Sequence, residues 1–231
     1  MKVRMADVPH LIDLQQITSL KKIAIEGRSV TIGSMVTQHE IINSVAIKEV
    51  APILQEASLQ IADPQVREMG TLGGNVANGD PANDLPGLMQ CLNARYTLVG
   101  PSGERTVAAR DYYEAAYFTE RMDDEILTSV NFVSEKGGYA YEKQKRKIGD
   151  YATAACAVVL KNKGGVCDHA SIAMTNLAST PIWSKAASQA LNGSLMGDEA
   201  IRNAVIAAKK DISPVADNKG PVDFKMHVAG V

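Results

Sequence analysis

The stretch IADPQVREMGTLGGNVANGDPANDLP, residues 61–86, decides how the rest of the chain is read. Gly70, Gly73 and Gly74 bracket Thr71 within five residues. That density argues for a loop rather than the interior of a helix or strand. Glycine admits positive φ and carries no Cβ, so backbone N–H groups can close on an anion. The expectation is a backbone cradle over 70–75 with at least one glycine at positive φ. Thr71 adds a hydroxyl and Asn75 an amide, each able to bond a phosphate or sugar oxygen. Asp84 lies nine residues past Asn75, between Pro81 and Pro86, where a carboxylate can accept from ribose hydroxyls. The composite reads as a pyrophosphate cradle with a sugar clamp. Plain turn chemistry is the competing reading of a bare G-T-x-G-G. Neither of the better-known nucleotide loops is present, since no G-x-G-x-x-G opens a helix and no G-x-x-x-x-G-K-[ST] occurs.

Composition narrows the classes around this loop. With 231 residues and 45% hydrophobic content, the chain can fill the core of one large or two small domains. A formal net charge of −2 creates no global field for nucleic acid or membrane. No long apolar run occurs, and Met1-Lys2-Val3-Arg4 leads into a mixed segment unlike a signal peptide. Cys91, Cys156 and Cys167 share no C-x-x-C spacing, which argues against a disulfide framework or a cysteine-ligated cluster and fits a reducing cytoplasm. The four histidines are scattered without metal-binding spacing.

The periodicities place further elements. Residues 10–14 read as a strand, and 22–26 with 29–33 as a hairpin about Gly27. Thr37 and Glu40 form a capping box opening a helix with Ile41, Ile42 and Val45 on its apolar side. A helix follows Pro52, and 85–92 reads as a buried helix with Met89 and Cys91 as packing residues. Residues 95–99 and 104–107 make another hairpin; 111–118 is an aromatic cluster for core or interface, and 125–133 is a strand. Residues 134–138 are the expected domain boundary. A strand from Tyr139 turns basic over 143–147, read as a solvated face, with a phosphate or an acidic partner as alternatives. A buried strand at 152–160 pairs with 166–173; helices at 184–191 and 198–209 follow, then a polar tail. Mixed elements without strict βαβ alternation predict an α+β fold.

The combination Gln65-Val66-Arg67, the 70–75 loop, Asp80-Pro81 and Asp84 resembles the flavin-binding subunit of molybdenum hydroxylases. Within that family it is most similar to the medium, FAD-binding subunit of aerobic carbon monoxide dehydrogenase. The resemblance spans essentially the whole chain and is specific over 61–117 and 139–160. It implies an FAD-binding domain of the PCMH/vanillyl-alcohol-oxidase type over 1–133 and a smaller α+β C-terminal domain over 138–231. It implies that Thr71, Leu72, Gly73, Gly74 and Asn75 hold FAD, that Asp84 supports the ribose side, that Ile61 packs on the cofactor and that Tyr151 lies against the isoalloxazine. No residue here is then a catalytic acid, base, nucleophile or metal ligand, because the flavin carries the redox chemistry.

The resemblance further implies partners: a large subunit with the molybdenum cofactor and a small iron–sulfur subunit, arranged as a dimer of heterotrimers. The complex would sit in the cytoplasm or at the inner face of the membrane and pass electrons to a quinone or other acceptor. Relatives carry an earlier glycine-rich loop in a first flavin subdomain, which would precede residue 1 of this chain. On that pattern the chain is expected to be truncated at both ends and to hold FAD weakly or not at all. A non-catalytic assembly module that has lost FAD, or a stand-alone nucleotide-binding domain, are the competing functions.

Overall fold

A computed structural model describes residues 9–231. The first half runs β1 (Ile23–Glu26), β2 (Ser29–Gly33), then helices α1 (Gln38–Asn43), α2 (Val45–Val50), α3 (Pro52–Leu59), α4 (Pro64–Met69), α5 (Leu72–Ala77) and α6 (Asp84–Cys91). Strands β3 (Arg95–Gly100), β4 (Gly103–Ala108), β5 (Tyr113–Ala115), β6 (Phe118–Thr119) and β7 (Ile126–Val133) follow. The second half holds β8 (Gly138–Gln144), β9 (Ala154–Lys163), β10 (Val166–Thr175), β11 (Ile182–Trp183), α7 (Lys185–Leu191), α8 (Asp198–Asp211) and α9 (Val222–Val228). The fold is α+β. One sheet has the order β1-β2-β7-β3-β4, and the other β11-β10-β9-β8. Every pairing between these strands is antiparallel.

Residues 10–14 are not a strand: among the described residues no ladder partner reaches them, and the Leu11 and Ile12 side chains are exposed. The polar tail carries α9, anchored by buried Lys225, whose Nζ lies 2.8 Å from Asp217 Oδ2. The capping box forms as expected: Thr37 N–H donates to Glu40 Oε2 at 2.7 Å and Glu40 N–H to Thr37 Oγ1 at 3.1 Å.

Helix α6 joins the two halves, with all eight of its residues buried. Leu85 and Leu88 are fully enclosed, each contributing roughly 1.5–3 kcal/mol by leaving water. On the sheet beneath, β9 alternates. Ala155, Ala157 and Val159 join the core under α6, whereas Ala154 on the opposite face packs with Ala170, Ile172 and Met174 under α7 and α8. Burial of both faces explains why this strand reads as a continuous apolar run. Among the described residues no helix is long and apolar enough to cross a membrane.

Candidate functional site

The glycine-rich stretch is not the loop its composition predicts. Residues 72–77 are helix α5, Thr71 is its N-cap, and none of Gly70, Gly73 and Gly74 has positive φ. The backbone donors are also engaged inside the protein. Gly70 N–H bonds Val66 O at 2.6 Å, Leu72 N–H bonds Val36 O at 2.9 Å and Gly73 N–H bonds Ser34 O at 2.8 Å. Gly74 N–H donates to Thr71 Oγ1 at 3.0 Å, and Asn75 N–H to Thr71 O at 3.1 Å. The expected free cradle of N–H groups over 70–75 is therefore corrected. The glycine at 73 is required by packing: a Cβ there would lie 2.4 Å from Ser34 Cβ and 2.7 Å from Ser34 O. The helix start thus lies directly on the segment leaving β2.

What this packing builds is a wall. A cavity of about 720 Å³ lies beside it, within the usual size of a small-molecule or cofactor site. Ile61, Thr71, Gly74, Asn75, Asp84 and Tyr151 all border it. Leu72 and Gly73 do not; Leu72 is fully buried in the core, and Gly73 is pressed on Ser34. Tyr151 arrives from the opposite side through the turn after β8. That turn needs Gly149, which sits at φ +79° with Ala62 O only 2.7 Å from where a Cβ would be. Ala62 itself holds φ 45°, a conformation that disfavours side chains. Arg67 maintains it, donating through Nη1 to Ile61 O at 2.9 Å and Ala62 O at 3.2 Å.

The basic run is not a solvated face throughout. The Lys143 side chain is wholly enclosed, its Nζ 2.8 Å from Asp84 Oδ2 and 3.2 Å from Gln60 O. Lys145 Nζ reaches Gln60 Oε1 at 3.1 Å, and Arg146 pairs with Asp150 at 3.1 Å. Lys147 borders the cavity. The other Asp84 oxygen accepts from Tyr141 Oη. Burial raises the Asp84 carboxyl above its ordinary range, with Lys143 and Tyr141 opposing the shift. Burial, with Asp84 beside it, also holds the Tyr141 hydroxyl well above its usual value. A carboxylate has about four lone-pair sites, so Asp84 can still accept from a ligand hydroxyl.

Two cavity residues carry polar atoms with no partner. Gln38 is 2% exposed, yet among the described residues neither its Nε2 nor its Oε1 has a hydrogen-bond partner, and Asn75 Oδ1 is likewise alone. Each such group left bare costs about 1–3 kcal/mol. At the rim stand Val66, Met69, Ile148 and Tyr151, all exposed, with Ile148 at 93%. An apolar rim, an aromatic ring and unsatisfied polar atoms inside suit a large, flat, polar-edged molecule. FAD fits those features. Sequence reading passed over Gln38 for its neighbour Thr37, whose side chain is occupied by the cap. It placed Lys143 in water, since four cations in five residues carry no signal that one is buried. Among the described residues, no group of three or more His, Cys, Asp and Glu side chains is placed to hold a metal ion.

Comparison with known proteins accords with this geometry. Residues 1–132 match the FAD binding domain in molybdopterin dehydrogenase, and residues 139–231 the CO dehydrogenase flavoprotein C-terminal domain. The chain is 52% identical to the carbon monoxide dehydrogenase medium chain of Afipia carboxidovorans, covering 100% of this chain and 81% of that one. The medium chain from Hydrogenophaga pseudoflava is 40% identical with the same coverage. Reconstituted CO dehydrogenase from Oligotropha carboxidovorans superposes with a TM-score of 0.97 at 51% identity, over 100% of this chain and 81% of that one.

Proposed function

The chain belongs to the FAD-binding medium-subunit family of CO dehydrogenase-type molybdenum hydroxylases, and from that premise we propose that it is the flavin subunit of a complex oxidising carbon monoxide. It is an oxidoreductase subunit; in this reading substrate turnover takes place on another subunit of the complex. When FAD is bound, the chemistry it supplies is electron transfer, between iron–sulfur clusters of a small partner subunit and a quinone or other acceptor. The molybdenum cofactor belongs to a large partner subunit, and the assembly is read as a dimer of heterotrimers in the cytoplasm or at the inner membrane face. In this reading residues 1–133 form the FAD-binding domain and 138–231 the smaller C-terminal domain of the CO dehydrogenase flavoprotein type.

The single observation that supports this most is the meeting of Thr71, Gly74 and Asn75 with Asp84 and Tyr151 around one cavity. The chain's own residues have separable roles there. Thr71 keeps its hydroxyl on Gly74 N–H and so fixes the wall. Asp84, held by Lys143 and Tyr141, presents a positioned acceptor to sugar hydroxyls. Ile61 contributes apolar wall, and the half-exposed ring of Tyr151 offers a face for a flat heterocycle. Leu72 and Gly73 act behind the wall by packing.

Co-expression with the neighbouring large and small subunits tests the proposal. A complex containing this chain should carry one flavin per copy, visible by the absorption of the oxidised cofactor itself, and should oxidise carbon monoxide. A stable complex without flavin would instead favour an assembly module. A complex with flavin but active on another substrate would retain the flavin role and remove carbon monoxide.

A further inference from the structure

Among the described residues, six buried side-chain polar atoms have no hydrogen-bond partner: Ser34 Oγ, both amide atoms of Gln38, Ser58 Oγ, Asn75 Oδ1 and Tyr112 Oη. Three of the six belong to residues bordering the cavity, namely those of Gln38 and Asn75. Ser34, Ser58 and Tyr112 lie elsewhere. Native interiors leave few such atoms, and a cluster of them at one cavity asks for a ligand. Gln38 is the stronger case because its donor and its acceptor are both bare on a side chain only 2% exposed.

The backbone around Gln38 is committed. Its N–H bonds Gly70 O at 2.9 Å, and Thr37 beside it bridges to Thr71. The side chain is therefore carried on a fixed main chain against the α5 wall. Whichever way the amide is turned, it offers a donor group, the NH2, and an acceptor group, the carbonyl oxygen. A diphosphate, which only accepts, would satisfy the donor and set its negative charge against the acceptor. A neutral group that both donates and accepts satisfies both.

We propose that Gln38, with Asn75 Oδ1 supporting it, is a positioning residue for the neutral polar part of the bound dinucleotide: a heterocycle edge or its sugar hydroxyls, not its phosphates. The inference rests on the cavity being the FAD site. It makes two demands that a structural glutamine would not meet. Without ligand, the amide weakens the fold; with ligand, it contributes affinity.

Gln38→Met keeps length and removes both polar atoms, and Ser58→Ala removes an unpartnered hydroxyl away from the cavity. Ligand-free Gln38→Met should melt higher than the parent, by about 2–4 °C. It should bind FAD about 10- to 100-fold more weakly, while Ser58→Ala binds as the parent does. FMN, ADP and inorganic pyrophosphate then separate the parts. Loss confined to FMN assigns Gln38 to the flavin side, loss confined to ADP assigns it to the adenosine side, and pyrophosphate affinity should stay unchanged. A lower melting temperature in Gln38→Met would mean the amide already has partners and would overturn the proposal. So would unchanged affinity for FMN and ADP, or an equal loss toward pyrophosphate. In those cases parent FAD binding leaves the functional reading standing. A parent chain that binds none of the probes would overturn both.

Discussion

Lys143 Nζ and Asp84 Oδ2 stand 2.8 Å apart with both side chains almost wholly out of water, one on the edge strand β8 and the other at the start of α6. The pair therefore ties the second sheet to the helix that fills the centre of the molecule. Removing one partner of a buried ion pair leaves the other uncompensated, at a cost of about 3–5 kcal/mol. Lys143→Met and Asp84→Asn should each lower the unfolding free energy measured by urea denaturation by an amount of that order. The double replacement should lose less than the sum of the two, because no bare charge remains. Strict additivity in the cycle would show that the pair is not coupled.

Gly73 and Gly74 should behave differently although they are adjacent. A methyl at Gly73 meets the Ser34 Cβ and backbone, so Gly73→Ala should destabilise by about 1–3 kcal/mol through overpacking. A Cβ at Gly74 meets only Thr71 Oγ1, at 3.0 Å. Its helical gain of about 1 kcal/mol over glycine should offset that contact and leave stability near the parent's. Thermal melts of the two single variants compare them directly, and equal losses would contradict the packing argument.

Tyr151 is 51% exposed and borders the cavity. Tyr151→Ala should shift stability by less than about 0.5 kcal/mol, yet weaken FAD binding by up to about tenfold as a ring contact is lost. Tyr151→Phe should keep the affinity. A large drop in stability would identify a packing tyrosine instead.

Acid sensitivity should have an identifiable source at Glu125. Arg105 donates to it twice, at 2.6 and 2.8 Å, and Met122 N–H once, at 2.8 Å. The Arg105 hydrogen bonds, with the Met122 N–H, pull its carboxyl from 4.5 to about 2. The folded state thus favours the ionised form. This stabilisation is complete above pH 4.5 and fades as pH falls toward about 2. Glu125→Gln should be less stable than the parent at neutral pH, and the gap should close over that acid window. A constant gap across the window would place the effect in packing rather than in charge.

Read without any structure, the chain already showed its capping box at Thr37 and Glu40, its hairpins, the buried 85–92 segment and its family. The first three depend on short-range periodicity and on residue types that mark local geometry; the family rests on the resemblance of the motifs within 61–86. The same reading made residues 70–75 an open anion loop, because glycine density carries two meanings, conformational freedom and close approach. Only the packing of α5 on Ser34 shows that the second applies, with the N–H groups already engaged. The burial of Lys143 and the bare amide of Gln38 were equally silent. A side chain's energetic state depends on partners 59 residues away in one case and on missing partners in the other. Tertiary packing decides both, because desolvation and hydrogen-bond satisfaction are properties of an environment that a residue's neighbours in the chain do not specify.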